Sequence, residues 1–191
     1  MWRLAPGDGP AWRSTLPSVA ARHRSGCRNR AERGHRTDGL ATPRDAAFLA
    51  NGQSVVASSV GLAKHDVDVQ VQRFNSDGSL ASTSAAFDYS GATAIDPARD
   101  SAGAVAVQAN GQAVVGGSHF LSTSVFGLGR VNQDGTLDSA FGTGGTLTTS
   151  FNGDEGVGVL AIQPDGKIIA VGFSENNGTG QVFIALARYN P

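Results

Sequence analysis

The 191-residue sequence holds one Cys, one Met and two Lys, and only 7% of it is aromatic. A single Cys cannot pair within the chain, which excludes a disulfide-stapled scaffold. No apolar run approaches the roughly 18 residues that a membrane-spanning helix needs, so a helical membrane protein is excluded as well. Charge is scarce at 16%, yet a hydrophobic fraction of 40% is enough to build a core, and wholesale disorder is set aside. Glycine is what the sequence has in excess: 26 residues with no three-residue period. That pattern excludes collagen and points to a turn-rich all-β protein.

The net charge of −1 conceals two regimes. Residues 1–45 hold nine Arg against four acids, a formal +5, while the remainder carries a formal −6. A boundary therefore falls near residue 41, and residues 1–45 read as an Arg-rich leader. Both Trp residues, Cys27, His23 and His35 lie in it without helical or strand periodicity, so it is expected to be disordered. It could also be a translated stretch upstream of the true start. Its rival reading is a basic tail that grips nucleic-acid phosphates through clustered Arg. A secretory signal is not visible, because LPSVAA at Leu16 to Ala21 is too short and is followed by Arg. Cys27 with the two histidines lacks the paired spacing of a zinc site.

From residue 46 onward the chain repeats itself. FLANGQSVVAS at Phe48 to Ser58, VQANGQAVVGG at Val107 to Gly117 and IQPDGKIIAVG at Ile162 to Gly172 each place an Asx-Gly pair between apolar runs. Their glycines, Gly52, Gly111 and Gly166, are 59 and 55 residues apart. Asn-Gly or Asp-Gly between such runs predicts a tight hairpin with positive φ at both turn residues, here Asn51-Gly52, Asn110-Gly111 and Asp165-Gly166. A second element follows each hairpin, carrying Arg73, Arg130 and Arg188 at spacings of 57 and 58. In the first two copies it runs into further turns at Asp77-Gly78 and Asp134-Gly135, whereas the third copy stops at Pro191.

The middle copy predicts strands over 104–108, 113–117 and 124–131, then an edge strand in the polar TLTTS of Thr146 to Ser150. The inner three are nearly continuous apolar runs, as suits a sheet covered on both faces. Four strands in about 57 residues, repeated in tandem, read as antiparallel blades of a partial β-propeller. Rungs of a parallel β-helix are much shorter, which ranks that fold second. The units are placed near 46–100, 101–156 and 157–191, about two and a half blades, the last incomplete. The first copy replaces the FGTGG of Phe141 to Gly145 with Ser82, Thr83 and Ser84, which puts its fourth strand in question.

The run LDSAFGTGGTLTTSFNGDEGVGVLAIQPDGKIIAVGFS, with ALARYN after it, resembles the bacterial delta-60 repeat β-propeller family. The resemblance is close over residues 101–191, looser over 46–100 and absent before 41. It implies a repeat module of large secreted or surface-associated bacterial proteins, hence an extracellular or cell-surface location, and it brings no shared catalytic residues.

A search for chemistry returns little. The NxDGxLD string at Asn132 to Asp138 fails as a calcium loop, since a twelve-residue frame puts Arg130 and Phe141 where carboxylates are needed. Its Asx residues read instead as turn formers that bond their own backbone, and Asp154 with Glu155 remains a looser oxygen-ligand pair. His119 could pair with Asp100 or Asp138 as base and orienter, against the plainer reading of a solvated loop histidine. GLGR at Gly127 to Arg130 opens no helix and is not a phosphate cradle. The recurrent arginines are expected to bond across the blade, to a turn carboxylate such as Asp165 or to backbone carbonyls.

No catalytic, cofactor or metal residues are therefore assigned. The expected function is a non-enzymatic scaffold or interaction module, with Gly61 to Asp68 and Glu175 to Gln181 as contact loops. The rivals are a propeller hydrolase or lyase whose active site lies in missing blades, and nucleic-acid binding by the leader. A ring needs about four to eight blades. An apolar face should accordingly be uncovered at each end of the stack, to be met by further blades, by self-association or by an unknown protein or surface ligand.

Overall fold

In the computed structural model the chain divides into two units, Met1–His35 and Arg36–Pro191. The described residues, 41–61, 67–91, 99–120 and 122–191, all lie in the second. The expected disorder of the leader, its nucleic-acid reading, and positions 62–66 of the first contact loop fall outside them. Among the described residues the regular structure is all β, in eleven strands.

The first four-stranded unit comprises β1 (Ala41–Phe48), β2 (Ser54–Gly61), β3 (Val67–Phe74) and β4 (Leu80–Thr83), paired antiparallel in that order. The second comprises β5 (Arg99–Val107), β6 (Ala113–Phe120), β7 (Ser124–Val131) and β8 (Thr146–Thr149), again antiparallel in order. The third has β9 (Asp154–Ile162), β10 (Ile168–Asn176) and β11 (Gln181–Tyr189). One parallel bridge, Val67 to Arg99, links the first unit to the second. β1 opens at Ala41, so residues 41–45, read with the leader, are strand residues of the first blade. The fourth strand of that blade also forms: without the glycine-rich detour, the chain goes from Leu80 directly along β3.

Each inner strand begins earlier than its apolar run suggests, because each contains a bulge. The registers of β1, β5 and β9 skip a residue at Arg44, Gly103 and Gly158, which are the same position in the three copies. A bulge frees backbone N–H groups from the ladder. Beside Gly103 the preceding blade supplies acceptors: Ala102 N donates to Ser59 Oγ (3.1 Å) and Val105 N to Asp45 Oδ2 (2.9 Å).

Hydrophobic burial fills the space between blades. Because side chains alternate along a strand, neighbouring residues serve opposite interfaces. On β6, Val115 packs towards the first blade with Val55, Val69 and Val105, while Val114 packs towards the third with Phe126, Leu128 and Ile168. β7 shows how the alternation is used. Phe126 and Leu128 face the third blade, while Gly127 and Gly129 face the first and leave room for the rings of Tyr89 and Phe87, with which a Cβ at either position would collide. The corresponding residues of β3 are Gln70 and Gln72, with Val56 half-buried and Val60 buried on the same face. Among the described residues the third blade exposes an apolar face through Val159, Val182, Ile184 and Leu186, whereas the outer face of the first blade mixes Gln70 and Gln72 with Val56 and the exposed Phe48.

Candidate functional site

The five Asx-Gly turns share one geometry, and it differs from the expected one. At Leu49 to Gln53 the Gly52 N–H donates to Leu49 O (3.0 Å) and Leu49 N–H to Gln53 O (2.9 Å), a turn closed by a single left-handed residue. Only the glycines carry positive φ, between 83° and 94° at Gly52, Gly78, Gly111, Gly135 and Gly166. The preceding Asx residues do not. Their side chains accept the N–H two residues on, as Asn51 from Gln53, Asp77 from Ser79, Asn110 from Gln112, Asp134 from Thr136 and Asp165 from Lys167. Two-residue turns with paired positive φ therefore give way to a three-residue loop with a glycine bulge, in which Asx acts through its side chain. The Ser79 hydroxyl and N–H hold the exposed Asp77 carboxyl below the ordinary aspartate value, and the Thr136 N–H and hydroxyl do the same for Asp134.

The three repeat arginines take three environments. Arg73 is buried and reaches the next blade's hairpin, its Nη2 donating to Gly111 O at 2.6 Å. Arg130 is buried too, but bonds within its own blade: Nε donates to Asp138 Oδ2 at 2.7 Å and the guanidinium lies 4.7 Å from the Phe141 ring centroid. Burial pushes the Asp138 carboxyl up, but the Ala140 N–H, Gln112 and Arg130 outweigh it and hold the carboxyl below the ordinary value. In the first copy the position of Asp138 is Ala81, so Arg73 has no local carboxylate and turns to a carbonyl. Arg188 is exposed. Asp165, the partner expected for an arginine, instead pairs with its neighbour Lys167.

Residues Asp154 and Glu155 do not form an open oxygen site. Asp154 Oδ1 accepts Ser124 N (2.8 Å), and the fully buried Glu155 accepts Phe151 N (2.6 Å) and Gly153 N (2.9 Å). The acid at the head of β9 thus ties the incoming chain to its blade.

A polar cluster lies at the head of β5, built on one of the two histidine pairings that the sequence offered, His119 with Asp100; Asp138 bonds Arg130 instead, and Asp88 is the member the sequence did not point to. Asp100 pairs directly across the ladder with His119 of β6. Their side chains meet, Nδ1 to Oδ1, at 2.7 Å, and Asp88 Oδ1 from the linker after β4 lies 3.4 Å from the same nitrogen. All three are buried, so His119 is a strand residue enclosed between blades, and the expectation of a solvated loop histidine is corrected. Asp100 Oδ2 accepts Tyr89 N (2.9 Å) and Asp88 Oδ1 accepts Ser90 N (2.5 Å). Burial pushes the Asp100 carboxyl up to about 9; the Tyr89 N–H opposes that rise, and Asp88 and Asp68 add to it. Burial raises Asp88 as well, but Ser90, the Asp100 carboxyl and His119 together bring it below the ordinary value. The pair is therefore one carboxylic acid beside one carboxylate, as expected when two like charges share a dry site.

The register assigns counterparts to this cluster. Eleven residues before the turn glycine stand Ala41, Asp100 and Glu155, and eight after it stand Val60, His119 and Ser174. Matched acids thus recur at the head of the inner strand in two blades. The spacing from the turn was the available signal, but burial, which makes the acids notable, is set by neighbouring blades.

With this geometry in view, residues 108–141 and 163–191 match a family model described as a domain of unknown function (DUF5122) β-propeller. The matches begin at Gln108 and Gln163, the same position of successive copies, three residues before Gly111 and Gly166. The repeating units are propeller blades. Each matched segment runs from a hairpin tip through the arginine strand, so the match follows the structural period. The bladed part of the chain is a partial β-propeller, and the propeller match covers elements of its second and third blades. No curated protein matches the chain.

Proposed function

We propose that the chain is a non-enzymatic β-propeller repeat module of the delta-60 kind, acting as a scaffold or interaction surface within a bacterial secreted or cell-surface protein. The location rests on the repeat resemblance. The contact role rests on one observation: Ile184 and Leu186, which occupy the positions of Phe126 and Leu128, are 85% and 59% exposed, whereas Phe126 and Leu128 are fully buried by the following blade. With Val159 and Val182 they form an apolar sheet face of the same chemistry as the faces that pack inside the stack. Contiguous apolar surface of this sort marks an interaction site.

The occupant that fits is another blade, presenting small residues as β7 presents Gly127 and Gly129 to the ring-bearing linker. Sedimentation over a range of concentrations tests this in the isolated chain. Reversible association is expected, and Ile184→Lys should weaken it at least tenfold while leaving far-UV circular dichroism unchanged. A wild-type chain that stays monomeric at high concentration and melts cooperatively would count against the contact role.

A further inference from the structure

We propose that Asp88, Asp100 and His119 form a binding site for a divalent transition cation, with Zn²⁺ as the probe that suits the donors. One donor atom from each lies within 4.8 Å of the others, and the three come from separate places in the chain: the linker after β4, the head of β5 and the end of β6. An imidazole nitrogen with two carboxylate oxygens is a borderline set of the Zn²⁺ type; Ca²⁺ prefers six to eight oxygens. Binding displaces the one proton that the carboxyl pair holds to solvent; with both carboxylates then ionised and the imidazole neutral, a divalent ion gives a site of zero net charge, which suits its burial.

Backbone N–H groups position the donors, as supporting bonds to metal ligands commonly do. The Tyr89 N–H takes Asp100 Oδ2 and turns Oδ1 towards His119, while the Ser90 N–H donates to Asp88 Oδ1, the oxygen that faces His119. Ligands on a tetrahedral Zn²⁺ stand about 3.3 Å apart for bonds near 2.0 Å. The Asp88–His119 separation of 3.4 Å already meets this, and Asp100 needs to withdraw by about half an ångström from its 2.7 Å contact. Three protein ligands leave a fourth position for water. A cleft of about 500 Å³, walled by Ser84 to Asp88 on one side and Thr136 and Leu137 on the other, reaches Asp88 and supplies an approach.

Comparison of the blades separates this site from mere structural tethering. In the third blade Glu155, with Ser174 opposite, ties down the incoming chain through two backbone N–H groups and needs neither a histidine nor a second carboxylate. In the first blade Ala41 and Val60 stand at these positions. His119 and Asp88 are therefore additions to the task the acid performs elsewhere.

The test uses the full chain, stripped with chelator and titrated calorimetrically with ZnCl₂. One equivalent is expected to bind saturably, with a raised melting temperature, and His119→Ala and Asp88→Asn should each weaken binding at least tenfold. Asp88→Asn keeps a side-chain acceptor for Ser90 and guards against a folding defect in the histidine variant, and far-UV circular dichroism reports on both. Cys27→Ser and Glu155→Gln should leave the affinity unchanged. Absence of saturable uptake, wild-type affinity in both ligand variants, loss of binding with Cys27→Ser, or binding of Ca²⁺ in preference to Zn²⁺ would each overturn the assignment.

Discussion

The second and third blades share a sequence pattern along their arginine strands, and the same pattern has opposite fates. Phe126 and Leu128 are fully buried against the third blade, while Ile184 and Leu186, at the matched positions of β11, stand in solvent. The residues of the two strands differ little in hydrophobicity. Burial in this protein is thus conferred by the next repeat along, as in other one-dimensional arrays, and no blade completes its own core.

That contrast predicts a steep difference between matched substitutions. Leu128→Ala should destabilise the chain by about 2–5 kcal/mol, because it opens a cavity among Phe126, Val157 and Ile168. Leu186→Ala, measured in urea at a concentration where the chain is monomeric, should change stability by no more than about 0.5 kcal/mol. Similar losses at the two sites would mean that the third blade's outer face is covered.

The arginines sharpen the comparison at intermediate size. Arg130→Met removes a charge-assisted bond and the contact over Phe141, and should lower stability by about 1–3 kcal/mol. Arg73→Met leaves the Gly111 carbonyl without this donor and should lose about 1–2 kcal/mol, whereas the exposed Arg188→Met should be near neutral. An unchanged melting temperature for Arg130→Met would remove the structural role of the repeat arginine.

The smallest effect is the pH dependence that Asp138 adds to the second blade. Since the folded chain holds Asp138 below its ordinary carboxyl value, it contributes stability above pH about 4 that is lost as pH falls through the depressed value. Asp138→Asn should flatten this part of the acid limb. Ala81→Asp, which gives Arg73 the carboxylate that Arg130 has, should introduce it in the first blade.

Local chemistry made much of this fold legible. The turn glycines mark hairpin tips because only a residue without Cβ adopts their φ cheaply, and β7 spans the expected residues 124–131 because its apolar run is bounded by turns at both ends. The turn type was misread, since a side-chain bond from Asn or Asp to the backbone serves as well as a left-handed Asx. The heads of the inner strands were missed because Gly103 and Gly158 interrupt the apolar alternation, which a linear reading takes as the end of a strand. The burial of His119 was not legible at all. It follows from Tyr89 and Asp88 of the linker lying against β5 and β6, and no spacing within GGSHF encodes that.

The bulges carry one more implication, for how such repeats diverge. In β5 the side chains of Asp100 and Ala102 point to the face that Val105 and Val107 also share, although even and odd positions should alternate; the extra residue at Gly103 resets the parity. Were the same strand to pair without the bulge, Gly103 would stand opposite Gly117, the head of the strand would exchange inside for outside, and Ser101 would replace Asp100 opposite His119. The bulge is therefore a switch that can retire or create a buried polar pair while every side chain stays the same.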